Sequence, residues 1–326
     1  MKKPAVITLS ILICAALTAV FLFTQKSARK DQSRYPKTIN IAYVETPFNV
    51  QVIVMKEKHM LEDAFAPLGV TVTWHVFSQG AEQTQAMAAG SLDIAPALNS
   101  TSIILANAAG NPVGAAALVS RPRQTFALMV RPDGPQNIRA LRGTTIAGPK
   151  GSVLHQMLIA ALVREGMNAS DVKLLNMNLP QAGAALLAGQ VDGALQAAGV
   201  IIRNEEAGMR TLFTADGYLT PLLLTAVRPA FAENYPELLS TYLQVQDEAC
   251  NWITANTTEA VALASRLLQV SAEDGMKLYQ WNGIAQVLEQ SDIKALEEDV
   301  DFLYGQNMIE RKIDPRVFVL QMAFGR

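Results

Sequence analysis

The sequence predicts an α/β protein of two lobes with a long helical C-terminal part. Three observations lead there. Strand-like and helix-like stretches alternate in two series, on either side of the breaker cluster Arg131-Pro132-Asp133-Gly134-Pro135. The two series echo each other: Gly90-Ser91-Leu92-Asp93-Ile94-Ala95 is matched by Gly189-Gln190-Val191-Asp192-Gly193-Ala194, each after an Ala-rich helix. From Pro236 to about Gln306, Leu, Val and Ala stand at helical spacing. The length of 326 residues suits two domains at roughly 100–200 residues each.

The chain opens on a leader. Residues 4–23 carry no charge and follow Lys2 and Lys3. As a helix this run would span about 30 Å, the thickness of a bilayer core, and the positive start marks it for export. Residues 1–34 are therefore an export signal or an N-terminal membrane anchor with its linker. Small residues suited to cleavage are missing near the end of the run, where Val20-Phe21-Leu22-Phe23 stands. Cys14 follows Ile11-Leu12-Ile13, which does not suit a lipoprotein site. A retained anchor is the favoured expectation, although the basic residues beyond the run would prefer the cytoplasmic side. The leader holds Lys2, Lys3, Lys26, Arg29, Lys30 and Arg34 against Asp31, so the formal net charge of −2 hides a body of 21 basic and 28 acidic residues.

The elements follow in order. Residues 38–44 form a strand and 49–60 a helix. Residues 70–77 alternate Val70, Val72, Trp74 and Val76 with Thr71, Thr73, His75 and Phe77, a strand. Residues 81–89 form a helix stopped by Gly90, and 92–95 a short buried strand. Residues 100–109 form a helix stopped by Gly110, before strands at 112–119 and 125–130. After the breaker cluster come strands at 145–147, 172–176, 191–195 and 211–213, with helices at 152–165, 181–187 and 199–207. Residues 222–227 are a return strand. The predicted domains are residues 35–130 for lobe 1, 131–222 for lobe 2 and 223–326 for the return to lobe 1. Hinges are expected near Val130–Arg131 and Leu222–Leu223.

Composition excludes several functions. Half the residues are hydrophobic and 17% are charged, which excludes disorder. Two cysteines cannot build a disulfide scaffold or a four-cysteine metal site. A net charge of −2 lacks the basic footprint of a nucleic-acid binder. His59, His75 and His155 lack metal-site spacing, and no GxSxG, P-loop or GxGxxG stands in context. Cys250 is expected as a buried, inert thiol. Trp252 and Trp281 are expected in the core, and Arg203, Glu205 and Glu206 on a solvated helix face.

The stretch Leu141-Arg142-Gly143-Thr144-Thr145-Ile146-Ala147-Gly148-Pro149-Lys150-Gly151-Ser152 resembles the LKGKKIAVPKGS signature of type II solute-binding proteins. Asp171-Val172-Lys173-Leu174-Leu175-Asn176, Ala188-Gly189-Gln190-Val191-Asp192-Gly193 and Phe231-Ala232-Glu233-Asn234-Tyr235-Pro236-Glu237 continue the likeness. It covers about residues 38–320 and points to the sulfonate-, taurine- and nitrate-binding group, which also includes thiamine-precursor binders. The resemblance implies a two-lobed type II periplasmic-binding-protein fold with a helical C-terminal extension on lobe 1. It implies an extracytoplasmic component of an ABC importer that passes a small-molecule ligand to a permease and its ATPase. No enzyme activity, cofactor, metal or nucleic acid is expected. The location expected is the periplasm or the outer face of the cytoplasmic membrane, as a monomer. An aminopyrimidine binder and a membrane-tethered ligand sensor stand as alternatives. Many relatives carry an aromatic and a W-x-P after the position of Asp192; here Gly193-Ala194-Leu195-Gln196-Ala197-Ala198-Gly199 follows.

A ligand between such lobes would sit at the carboxyl ends of strands, where helices begin. Gly151 and Ser152 open a helix, with His155 one turn in. Asn99, Ser100 and Thr101 are the matching start in lobe 1, and Ser78, Gln79 and Gly80 another. Glu45 and Phe48 close the first strand as an amine partner and an apolar wall. Gln181 and Gln196 complete the candidates. Each polar residue at a helix start has capping as its alternative role.

Overall fold

The protein, a computed structural model, is described over residues 34–44 and 49–325. Residues 1–33 of the leader, Glu45 and Phe48 lie outside the described residues. Among the described residues, ten strands form two five-stranded sheets. Lobe 1 holds β1 (Thr38–Tyr43), β2 (Thr71–Val76), β3 (Ile94–Asn99), β4 (Gly114–Ser120) and β10 (Leu223–Val227), in the order β2-β1-β3-β10-β4. Lobe 2 holds β5 (Phe126–Val130), β6 (Thr145–Gly148), β7 (Lys173–Asn176), β8 (Gly193–Ala197) and β9 (Arg210–Thr214), in the order β7-β6-β8-β5-β9. The two orders are the same plan. In each sheet three strands run in the βαβ manner, and the fourth place goes to an antiparallel strand that has just crossed from the other lobe.

The helices are α1 (Val50–Glu57), α2 (Met60–Phe65), α3 (Gly80–Ala88) and α4 (Ser100–Ala108) in lobe 1, and α5 (Val153–Arg164), α6 (Leu179–Leu187) and α7 (Gly199–Glu206) in lobe 2. The C-terminal part adds α8 (Pro229–Asn234), α9 (Pro236–Ala255), α10 (Thr257–Leu268), α11 (Ala272–Asn282) and α12 (Gln290–Gly305). β4, β5, β8 and β10 are buried at every residue. They read as short apolar runs because both faces are covered. β2 is an edge strand, half-buried along its middle and exposed at both ends.

The echo seen in the sequence has a physical basis. The Asp93 carboxylate accepts the Asn40 N–H at 2.9 Å, and the Asp192 carboxylate accepts the Thr145 N–H at 2.9 Å. Each aspartate also gives its own N–H to the same residue's carbonyl. One side chain thus ties the start of the third strand to the start of the first in both lobes.

One boundary is corrected. β5, predicted as the end of lobe 1, pairs with β8 and β9 in the second sheet. The chain therefore crosses at residues 121–125, not at the breaker cluster. That cluster is a turn inside lobe 2, closed by Gly134 N–H on the Arg131 carbonyl at 3.0 Å. The first hinge expected at Val130–Arg131 moves with it. The second crossing, residues 215–222, falls beside the predicted return.

The C-terminal helices pack mainly on lobe 1. α9 buries Leu238, Leu239, Tyr242, Leu243 and Val245 in a core shared with α1 and α2, and α12 buries Leu296, Val300 and Leu303 with α4 and β3. Cys250 is buried on α9. Trp252 and Trp281 are partly buried against the same cores, and Arg203, Glu205 and Glu206 are exposed. α11 also reaches lobe 2: Leu278 packs in one core with Ala198 and Ile202.

Candidate functional site

A cavity of about 90 Å³ lies between the lobes at the carboxyl ends of the strands. Its walls include the first residues of both crossing strands, Phe126 and Leu223, each beside the end of a neighbouring strand. That placement follows from topology: where strand order reverses, helices leave in opposite directions and open a crevice. At roughly 15 Å³ per water position, the cavity has room for a small organic ion.

Five helix starts line the cavity. Lobe 1 brings Asn49 before α1, Gln79 and Gly80 at α3, and Asn99 before α4; lobe 2 brings Ser152 before α5 and Leu179 in α6. Each start carries backbone N–H groups without an intrahelical partner and about half a positive charge. Among the described residues, none that lines the cavity is charged. Asn49 and Gln79 make no side-chain cap bond, so their amides do not serve their own helices. Asn99 does cap, accepting Ser102 N–H at 2.9 Å. Ser152 accepts the His155 N–H and donates to the Pro149 carbonyl at 2.7 Å. Gly80 is required where α3 approaches α4, because a Cβ there would stand 2.5 Å from Ser102 Oγ.

The candidates sort by geometry. Ser78, Gln79, Gly80, Asn99 and Ser152 line the cavity. Six others do not. Ser100 and Thr101 are fully buried and turn from the cavity toward Asp299 and Gln156. The Gly151 N–H is taken by His155 Nδ1 at 3.3 Å. His155 holds that proton donor as a neutral ring, since burial, then Lys150, pushes its pKa down to about 4. Gln181 closes a capping box with Asn178. Gln196 sits on the opposite face of β8 from the cavity, donating to the Leu179 carbonyl at 3.1 Å; its neighbour Ala197 lines the cavity instead.

Four polar lining residues were not foreseen: Asn49, Gln83, Thr125 and Asn282. Asn49 had a signal, an N-cap residue type directly before a helix. Gln83 stands one turn beyond Gly80 and shares its face. Thr125 was hidden by the misplaced crossing. Asn282 comes from the end of α11, some 150 residues away in sequence from Thr125, and no local pattern announces it. Gly283 pins that end: the Arg121 N–H of the crossing donates to the Gly283 carbonyl at 2.9 Å, and a Cβ at φ +59° would stand 2.7 Å from the Arg121 carbonyl oxygen.

The lobes touch beside the cavity. Ser102 Oγ on α4 donates to the Gly151 carbonyl at 3.5 Å, and Thr101 Oγ1 donates to Gln156 Oε1 at 2.5 Å. The arrangement can hold an anion on backbone N–H groups, hydroxyls and amides, with apolar contact from Val44, Leu98, Phe126, Leu154, Leu179 and Leu223.

A family described as NMT1/THI5 like matches residues 64–260. A protein of Bacillus subtilis (strain 168) named for binding aliphatic sulfonates is 28% identical over 271 residues, 81% of this chain and 80% of its own length. The taurine-binding periplasmic protein of Escherichia coli (strain K12) is 30% identical over 200 residues, 58% of this chain and 59% of its own. The solved alkanesulfonate-binding protein from Xanthomonas axonopodis pv. citri, bound to MOPS, superposes with a TM-score of 0.78 at 19% identity, over 87% of this chain and 98% of that one. At that identity the likeness carries the fold.

Proposed function

The chain belongs to the NMT1/THI5-like family, and from that footing we propose that it is the extracytoplasmic solute-binding component of an ABC importer. It captures a small aliphatic sulfonate or taurine-like anion between its lobes and delivers it to a membrane permease served by an ATPase. The observation that carries this reading is the convergence of five helix starts, three from lobe 1 and two from lobe 2, on a cavity whose described walls bear no charge. A sulfonate spreads one negative charge over three acceptor oxygens, which suits several N–H and amide donors at once. The short aliphatic part suits the apolar walls. An aminopyrimidine is the alternative: it would donate to Glu45 and stack on Phe48, while the amine of taurine would use the same Glu45.

The body works as a monomer that performs no chemistry of its own. Residues 4–23 export it to the periplasm or to the outer face of the cytoplasmic membrane, and retain it there if they are not removed. The ligand is held by closure of the two lobes about residues 121–125 and 215–222.

A thermal-shift screen with ethanesulfonate, butanesulfonate, taurine, nitrate and an aminopyrimidine tests the ligand class. A sulfonate at a hundred times its Kd stabilises by about 2.7 kcal/mol, and its midpoint rise should be the largest in the set. No shift with any sulfonate, or an unchanged sulfonate affinity in a Ser152→Ala/Asn99→Ala double variant, defeats the reading.

A further inference from the structure

A polar cluster behind the cavity joins three helices that belong to different lobes. Gln156 projects from α5 of lobe 2, one turn past Ser152, and is 2% exposed. It is seated between two helices of lobe 1. Its Oε1 accepts from Thr101 Oγ1 of α4 at 2.5 Å, and its Nε2 donates to Asp299 Oδ1 of α12. The other carboxylate oxygen of Asp299 accepts from Ser100 Oγ at 3.5 Å. The bonds run in one direction, from Thr101 through Gln156 to a carboxylate that Ser100 also serves. None of these four side chains lines the ligand cavity.

We propose that Gln156 and Asp299 are positioning residues that latch the two lobes together and so set how tightly the cleft holds its ligand. The idea rests on the reading of the cleft as a sulfonate site. An α-helix is stiff over one turn, about 5.4 Å, so fixing Gln156 fixes the Ser152 end of α5 against the Asn99 end of α4. The Ser102–Gly151 bond alone would leave that contact with a single weak tie. When lobe 2 swings away, Gln156 leaves both partners and Asp299 gains water.

That geometry makes the latch sensitive to pH. Burial, acting against the hydrogen bonds from Gln156 and Ser100 and assisted by Glu298, pushes the Asp299 carboxyl up to about 7. Among the described residues it has no ion pair. From α4 it faces neutral Ser100 and Thr101, and from α5 neutral Gln156. Along the neighbouring 620 Å³ groove stand Arg164 of α5, Glu298 of α12, and Arg123, Asp216 and Tyr218 of the two crossings. The groove gives water and protons a route to the cluster. Opening hydrates Asp299 and lowers its pKa toward the ordinary carboxylate range. Closure is then fully favoured below the open-state value, and that advantage is lost as pH rises through about 7.

The test uses the full-length chain in mild detergent, with butanesulfonate as probe and hydrogen exchange of α4 and α5 as a ligand-free readout of closure. Gln156→Leu should raise exchange in both helices and weaken the probe about tenfold. Wild type should bind the probe about tenfold more tightly at pH 6 than at pH 8. Asp299→Asn keeps an acceptor for Gln156 without the charge, so it should bind at every pH at least as tightly as wild type does at pH 6 and show a flat profile. Unchanged exchange and affinity in Gln156→Leu overturn the latch. A wild-type slope retained in Asp299→Asn overturns its control by Asp299. If butanesulfonate does not bind at all while Gln156→Leu still raises exchange, the latch stands and the ligand class falls.

Discussion

Lobe 1 and lobe 2 repeat one plan at an offset of 99 residues, so that Gly90, Asp93 and Asn99 fall on Gly189, Asp192 and Ala198. The plan holds through the glycines and aspartates and breaks at the third pair. Asn99 has extended backbone and caps α4, whose start faces the cavity. Ala198 sits at φ +49° with nothing to cap α7, and the next residue, Gly199, packs toward Val270 and Leu278 of the C-terminal part. Lobe 1 therefore offers the ligand three helix starts and lobe 2 offers two. The repeat dictates how each sheet closes; it does not dictate which helix starts reach the ligand.

The aspartates sharpen the comparison most strongly. Asp93 also pairs with Arg228 at 2.5 Å, and its side chain is 5% exposed, whereas Asp192 ties only to the β6 backbone among the bonds described. Removing one member of a buried ion pair costs about 3–5 kcal/mol, so Asp93→Ala should lower unfolding stability by that amount in urea denaturation. Asp192→Ala strands one backbone N–H and should cost about 1–3 kcal/mol. Equal losses would mean that Arg228 adds nothing and that the lobes are alike at this point.

The next comparison is between two titrating groups, one on each lobe, Asp299 buried and His155 partly buried. Asp299 on lobe 1 is raised to about 7 by burial, and His155 on lobe 2 is lowered to about 4 by burial and Lys150. A carboxyl with a raised pKa gives stability that is present in acid and is lost as pH rises through about 7. A histidine with a depressed pKa gives stability that is lost as pH falls from its ordinary value, about 6.5, through about 4. The two oppose each other between about pH 4 and 6.5. Asp299→Asn should make the melting temperature fall more steeply on acidification across that window, and His155→Gln should reverse the slope. Parallel pH profiles for the two variants would remove the opposition.

Much of this was legible in the sequence because it rests on local chemistry. The Gly stops after helices, the two aspartates and the alternation of strand and helix are short-range signals, and each falls where the fold uses it. The departure from family pattern at residues 193–202 was also visible, and it is where α7 turns toward the C-terminal helices. Three things were hidden. The crossing at residues 121–125 was masked by a stronger Pro/Gly signal that turned out to be an exposed turn. Ser100 and Thr101 have the residue types of a ligand contact, but their direction is set by Gln156 and Asp299, which lie 55 and 198 or more positions away. Asn282 enters the cavity only because the C-terminal helices fold back onto both crossings. Residue type can be read from sequence, whereas the face a side chain takes depends on partners that are distant along the chain.

The helix caps at the cleft give a smaller effect. Asn99→Ala and Ser152→Ala each remove a cap from a helix start that lines the cavity and should cost about 1 kcal/mol of stability. Because the two residues belong to different lobes and both line the cavity, each variant should also weaken sulfonate binding, measurable by calorimetry. A loss of affinity in only one would show that the ligand leans on one lobe.

The smallest predicted effect tests the break in the repeat directly. Left-handed backbone at a non-glycine residue costs about 1–3 kcal/mol, and Ala198 at φ +49° bears that cost in a fully buried position. Glycine removes it while adding about 0.5–1 kcal/mol of chain entropy, so Ala198→Gly should raise stability by roughly 1 kcal/mol. At the equivalent position in lobe 1 the sign should reverse. Asn99 has φ −72° and no strain to relieve, so Asn99→Gly should lower stability by a few tenths of a kcal/mol. Opposite signs at two positions 99 residues apart, in thermal melts under one buffer, are what a conserved plan with one redirected helix requires; the same sign at both would mean that α7 starts as α4 does.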